Sequence, residues 1–146
     1  RMAEAVTLID SITQSQHRKE MQTGTFAEDF RGLDVSPKGA TGYIYYTKGD
    51  PQTGAGGNGF AIELSRGEML HEANVIARRM FNGNTFSSSL QYQYSLLRFY
   101  QSDNVTCNGS NQAGRELCAD FCGIDTPVSQ CCNDGTSGLC PMPTNN

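Results

Sequence analysis

Four apolar residues near the start of the chain recur with the three- and four-residue spacing of an α-helix: Met2, Ala5, Ile9 and Ile12. The positions between them are mostly polar, and Gly24 then supplies a natural stop signal. We therefore predict an amphipathic helix over 1–23, with the four apolar residues packed against the rest of the domain.

The pattern changes from helical to alternating after a structured loop at 24–41. The segments "TGYIYYTKG" and "FAIELS" carry the β-branched and aromatic residues typical of strands, and the Gly-rich loop 49–59 separates them. We expect these two strands to pair as an antiparallel hairpin. Residues 73–81 fit either a helix or a strand, and the flanking strands favour a strand. The segment "LQYQYSLLRFYQ" alternates strictly and predicts another strand.

These elements predict an α+β fold in one domain, 1–146. A lone amphipathic helix buries its apolar side on one face of a sheet. We expect that sheet to have three or four antiparallel strands within 42–101. A cysteine-rich tail, 102–146, with one short helical turn near "GRELCADFCG", would follow it.

All six cysteines lie in that tail, at Cys107, Cys118, Cys122, Cys131, Cys132 and Cys140. An even count in a Gly- and Asn-rich segment indicates three disulfides and an oxidising compartment. Zinc is the alternative, but it favours paired C-x2-C motifs, whereas the spacing here is C-x10-C-x3-C-x8-CC-x7-C. Six cysteines allow about 15 pairings. A bond between the adjacent Cys131 and Cys132 would be strained, so we expect each to have another partner.

The net charge and the absence of catalytic sequence motifs limit the range of possible functions. The formal net charge is −4 and the pI is near 5.0, which argues against a nucleic-acid surface. The sequence has no nucleophile elbow, no H-E-x-x-H and no phosphate loop, so we do not expect an enzyme or a bound cofactor. His17 and His71 are expected to be surface or capping residues. Calcium is a weaker alternative involving the aspartates of the tail loops, Asp120, Asp125 and Asp134, which lack a regular ligand spacing.

Two segments resemble type IV pilins and the pseudopilins of type II secretion systems. In "AEAVTLIDSITQSQHRKEMQTGTFAEDFRGLDV", the helix is followed by Gly24, Phe26, Leu33 and Asp34 at the places of a G-x-[YF]…L-D pilin motif. The segment "NVTCNGSNQAGRELCADFCG" is similar to a pilin C-terminal region. Six cysteines exceed the family's usual pair, and the family's basic leader, apolar half-helix and glutamate are not in this sequence.

The resemblance implies a structural subunit of a helical filament whose partners are other pilin subunits. It also implies that an apolar half-helix, which would reach the inner membrane, precedes the chain in the whole protein. The location would be an extracellular filament, or the periplasm for a pseudopilin. A minor pilin at a filament tip, acting in adhesion, and a secreted disulfide-rich binding module are two further interpretations of the same sequence.

Candidate contact residues follow from this assignment. Thr7 and Leu8 lie on the outer side of the predicted helix. The charged helix end, Arg18, Lys19 and Glu20, and the loop 49–59 are further candidates. The tyrosines at 43, 45 and 46 form an alternative sticky patch, although tyrosine is common in half-buried strands.

Overall fold

The computed structural model describes residues 2–34, 44–47, 59–80 and 92–143. Two helices and six strands occur there, in the order α1 (Met2–Thr23), β1 (Ile44–Thr47), β2 (Phe60–Ser65), β3 (Asn74–Met80), β4 (Tyr92–Phe99), β5 (Thr106–Gly109), α2 (Gln112–Cys122) and β6 (Gln130–Cys132). Short 3-10 turns lie at Phe30–Gly32 and Leu70–Glu72. The α+β class, the N-terminal helix and the strand in 73–81 are thus confirmed.

The six strands form one sheet in sequence order, β1-β2-β3-β4-β5-β6. Strands β2 to β6 are antiparallel, but β1 runs parallel to β2, with Ile44 opposite Ala61. The predicted hairpin is therefore wrong. A parallel pair needs a connection of about a dozen residues, and the segment 48–59 is long enough to provide one. The strand propensity of the two segments did not indicate whether they pair in parallel or antiparallel.

The predicted number of strands was also wrong for the sheet as a whole: four described strands lie within 42–101, and the tail adds two more. Strand β5 pairs with β4, and β6 pairs with β5. The predicted single helical turn is α2, a helix of 11 residues. Asn111 caps its start by accepting a hydrogen bond from the Gly114 amide at 2.7 Å, and Gly123 ends it in the left-handed conformation at φ +72°.

Helix α1 packs across the two central strands, β3 and β4. Ala5, Ile9 and Ile12 are completely buried in the core, whereas Met2 is half-buried at its edge. Burying one isoleucine side chain contributes about 1.5–3 kcal/mol. The docking of α1 therefore depends mainly on these apolar residues.

A buried glutamine attaches the following loop to α1. The Gln16 amide donates to the carbonyl of Ala27 at 3.0 Å and to the hydroxyl of Tyr100 at 3.2 Å, and its oxygen accepts from the Ala27 amide at 2.7 Å. These bonds satisfy a polar group that would otherwise be costly to bury. Burial raises the pKa of Tyr100 well above its usual value, so its hydroxyl stays protonated near neutral pH.

Helix α2 lies on the same face of the sheet as α1. The register places Ala77, Leu96 and Cys107 side by side on the face that belongs to the core, and Cys118 of α2 is bonded to Cys107. The described part of the fold thus has two layers, with both helices on one side of the sheet.

Gly114 allows α2 to approach β4 closely. A Cβ at this position would lie 1.9 Å from the carbonyl oxygen of Gln93. We expect Gly114→Ala to destabilise the domain by about 1–3 kcal/mol in urea denaturation, because the strand backbone cannot move away cheaply.

The neighbouring Ala113 is exposed and provides the matched control. At this exposed position only helix propensity matters, so Ala113→Gly should lower the free energy of unfolding by about 0.5–1 kcal/mol. Alanine should therefore be preferred at position 113 and glycine at position 114. A stabilising Gly114→Ala would mean that α2 does not pack on β4 at this distance.

Candidate interaction surfaces

The outward side of α1 forms a shallow groove. Its volume is about 530 Å³ and its lining residues are Ala3, Glu4, Thr7, Leu8 and Ser11. Thr7 is exposed and Leu8 is half-buried. Thr7 thus lies on the outward side of α1, whereas Leu8 lines the groove and also packs against the hydrophobic core.

Arg18, at the charged end of α1, is paired with the loop that follows the helix. The Arg18 guanidinium donates to both carboxylate oxygens of Asp34, at 2.6 and 2.7 Å, and the Ser15 hydroxyl donates to the same carboxylate at 2.6 Å. The hydrogen bonds from Arg18 and Ser15 hold the pKa of Asp34 well below its usual range. The side chain of Arg18 therefore fixes the loop after α1, although half of it stays exposed.

Lys19 and Glu20, the remaining candidates at this end, are half-buried. Lys19 lines a small groove with Gln22, Leu33 and Asp34. The sequence offered no signal for the bond between Arg18 and Asp34, since the two residues are 16 positions apart and no helical or strand spacing connects them.

The tyrosine patch is described only in part. Tyr45 is half-buried, and its ring meets that of Phe30 edge-on with 5.2 Å between ring centroids. This contact gives Tyr45 a packing role. Tyr43, the side chain of Tyr46 and the candidate contact loop up to residue 58 lie outside the described residues.

All six cysteines are paired, as predicted. The bonds are Cys107–Cys118, Cys122–Cys131 and Cys132–Cys140. The adjacent Cys131 and Cys132 have different partners, which confirms that expectation. Three disulfides indicate an oxidising environment such as the periplasm or the extracellular space.

The residues named as calcium candidates are not grouped. Asp134 lies in the turn after β6 and accepts from the Thr136 amide at 2.8 Å, whereas Asp120 is in α2 and Asp125 is in the loop that follows it. Within the described ranges, no three His, Cys, Asp or Glu residues are placed to hold one metal ion. His17 forms a hydrogen bond through Nε2 with the carbonyl of Tyr100, and His71 is part of the second 3-10 turn.

A second groove, which was not predicted from the sequence, lies along α2. Its volume is about 610 Å³, and it is lined by Ala113, Glu116, Leu117, Ala119, Asp120, Ile124, Asp125 and Pro127. Glu116 and Asp120 are four residues apart on one helix, which is the spacing that places two side chains on one face. That spacing is the signal in the sequence that could have indicated a charged face.

No protein-family model, curated protein sequence or solved structure matches the chain. None of the helices in the described part combines the length and the apolar character required to cross a membrane.

Proposed function

We propose that this chain is a structural subunit of the pilin type, which assembles into a filament through the outward side of α1. The observation that carries the proposal is that α1 has two contact-forming sides. One side is buried on β3 and β4, and the other presents the groove around Thr7 and Leu8. This outward side is mixed in character, because Ala3 and Leu8 lie beside the polar residues Glu4, Thr7 and Ser11.

The remaining architecture supports this proposal. The resemblance to pilins implies a helix on an antiparallel sheet with a disulfide-bonded C-terminal region, and the described fold has such a helix and region with a sheet that is antiparallel from β2 to β6. Repeated head-to-tail contacts through one helix generate an open helical filament when the rotation does not close. A pilus subunit and a secretion-system pseudopilin would both use this contact, so the proposal covers both.

The test compares the chain with a variant that carries about 20 additional apolar residues in helical phase before α1. We expect the chain alone to sediment as a monomer, because a contact limited to the exposed groove on α1 would bury too little surface area for a stable dimer. The added helix would be about 30 Å long. At about 25 cal/mol per Å² of apolar area, its burial outweighs surface ion pairs of under about 1 kcal/mol each, so the extended variant should form filaments visible by electron microscopy.

Two charge substitutions, one on α1 and one outside it, make the test specific. Thr7→Asp in the extended variant would place a carboxylate in the helix contact and should abolish filaments. Ser129→Asp adds the same charge at an exposed position outside α1 and should leave them intact. Filaments that survive Thr7→Asp, or a stable oligomer of the unextended chain, would contradict assembly through this surface and favour a self-contained secreted module.

A further inference from the structure

The groove on α2 combines an apolar lining with a concentration of negative charge. Leu117 is 42% exposed, and Ile124 and Pro127 continue the apolar surface into the loop after the helix. Glu116, Asp120 and Asp125 provide three carboxylates along the same groove. A binding partner must therefore offer apolar side chains and positive charge together.

These three carboxylates differ from most others in the fold. Six carboxylates in the described part pair with arginine: Asp10, Glu28, Asp29, Asp34, Glu63 and Asp103. Within the same ranges, no ion pair includes any of the three at the groove, and Glu116 has only a 3.1 Å hydrogen bond from Gln112. Their charge is available to a partner.

The groove is held rigidly by the covalent framework beneath it. Cys118 and Cys122 are on the buried side of α2, and their disulfides join the helix to β5 and β6. The Ile124 amide donates to the carbonyl of Ala119 at 3.0 Å, which fixes the start of the loop against the helix end. A preformed groove loses little conformational entropy when it binds a ligand.

We propose that the α2 groove binds a basic segment of a different protein, in which lysine or arginine alternates with apolar residues. Charge complementarity identifies this occupant, because the positive side chains would meet Glu116, Asp120 and Asp125 while the apolar ones contact Leu117 and Ile124. A second copy of this chain fits poorly, since its formal net charge is −4 and like charges repel. This inference is independent of filament assembly through α1.

The test is an NMR titration of the isotope-labelled chain with a short synthetic peptide of alternating leucine and lysine. We expect chemical-shift changes confined to residues 113–127 and a dissociation constant that weakens as salt is added. The triple variant Glu116→Gln/Asp120→Asn/Asp125→Asn should bind at least about tenfold more weakly. Glu68→Gln removes an exposed carboxylate elsewhere and should bind as the unchanged chain does.

Two further peptides separate a groove from simple charge attraction. Replacing lysine by glutamate should eliminate binding, and replacing leucine by serine should weaken it at least about tenfold. Shift changes scattered over the surface, equal binding of the serine peptide, or no binding would each overturn the inference. Concentration-dependent shifts of residues 113–127 without peptide would show that the occupant is a second copy, which also contradicts it. Spectra outside the groove report directly whether the triple variant is folded.

Discussion

Ile9→Asp is expected to unfold the domain or to destabilise it by more than about 4 kcal/mol. Ile9 is fully buried in the contact between α1 and the sheet. An aspartate there would have to bury a carboxylate without a cation or remain protonated, and either choice is costly. Because domains of this size are stable by only about 5–15 kcal/mol, the substitution removes a large share of the free energy of unfolding and should strongly lower the melting temperature and the urea midpoint. Circular dichroism during thermal and urea denaturation measures the effect.

Thr7→Asp is the matched control, because Thr7 lies on the exposed side of the same helix. We expect it to change the free energy of unfolding by no more than about 0.5 kcal/mol. Ile9→Val, which removes one methylene without adding charge, should fall between them at about 0.5–1.5 kcal/mol. If all three substitutions have equally small effects, α1 does not dock on β3 and β4 through this residue.

The helix and the strands with strong alternation could be predicted because their signals are local. Ala5, Ile9 and Ile12 share one side of a helix by spacing alone, and the structure buries all three. The alternation in 90–101 likewise predicted β4. Periodicity of three to four residues or of two residues follows from backbone geometry and needs no knowledge of distant contacts.

Strand direction and strand number could not be predicted in the same way. Strand β1 pairs in parallel with β2 although the residues of both suit either direction. Strands β5 and β6 have only four and three residues, so each is too short to show alternation. Their place in the sheet depends on pairing with β4 and on the disulfides, which are contacts between distant parts of the chain.

The candidate surfaces show the same division between local and distant signals. Thr7 could be assigned to the outer side of α1 from helical spacing, whereas Leu8, assigned in the same way, also packs against the core. The pairing of Arg18 with Asp34 requires the loop after α1 to fold back, and the groove on α2 requires the loop 123–127 to lie beside the helix. Neither arrangement follows from a periodic pattern.

Removal of the two disulfides that hold α2 should have the second large effect on stability. The variant Cys107→Ala/Cys118→Ala/Cys122→Ala/Cys131→Ala retains only Cys132–Cys140. The two bonds close short loops, with sequence separations of 11 and 9 residues between the bonded cysteines. Removing each bond should lower the free energy of unfolding by about 2–5 kcal/mol. All four sulfur-bearing side chains are also buried in the core, so truncation to alanine adds cavities.

The matched control is Cys132→Ala/Cys140→Ala, which removes the remaining bond and leaves α2 attached. Its separation of 8 residues is similar, so the chain-entropy contribution per bond is nearly the same. We therefore expect this control to remain folded with a lower urea midpoint, whereas the four-alanine variant should lose α2 and the strand pairing of β5 and β6. Loss of amide protection against hydrogen exchange in 106–132 would report this directly. If the four-alanine variant keeps that protection and unfolds at the midpoint of the control, the packing of α2 on β4 and β5 is sufficient without covalent bonds.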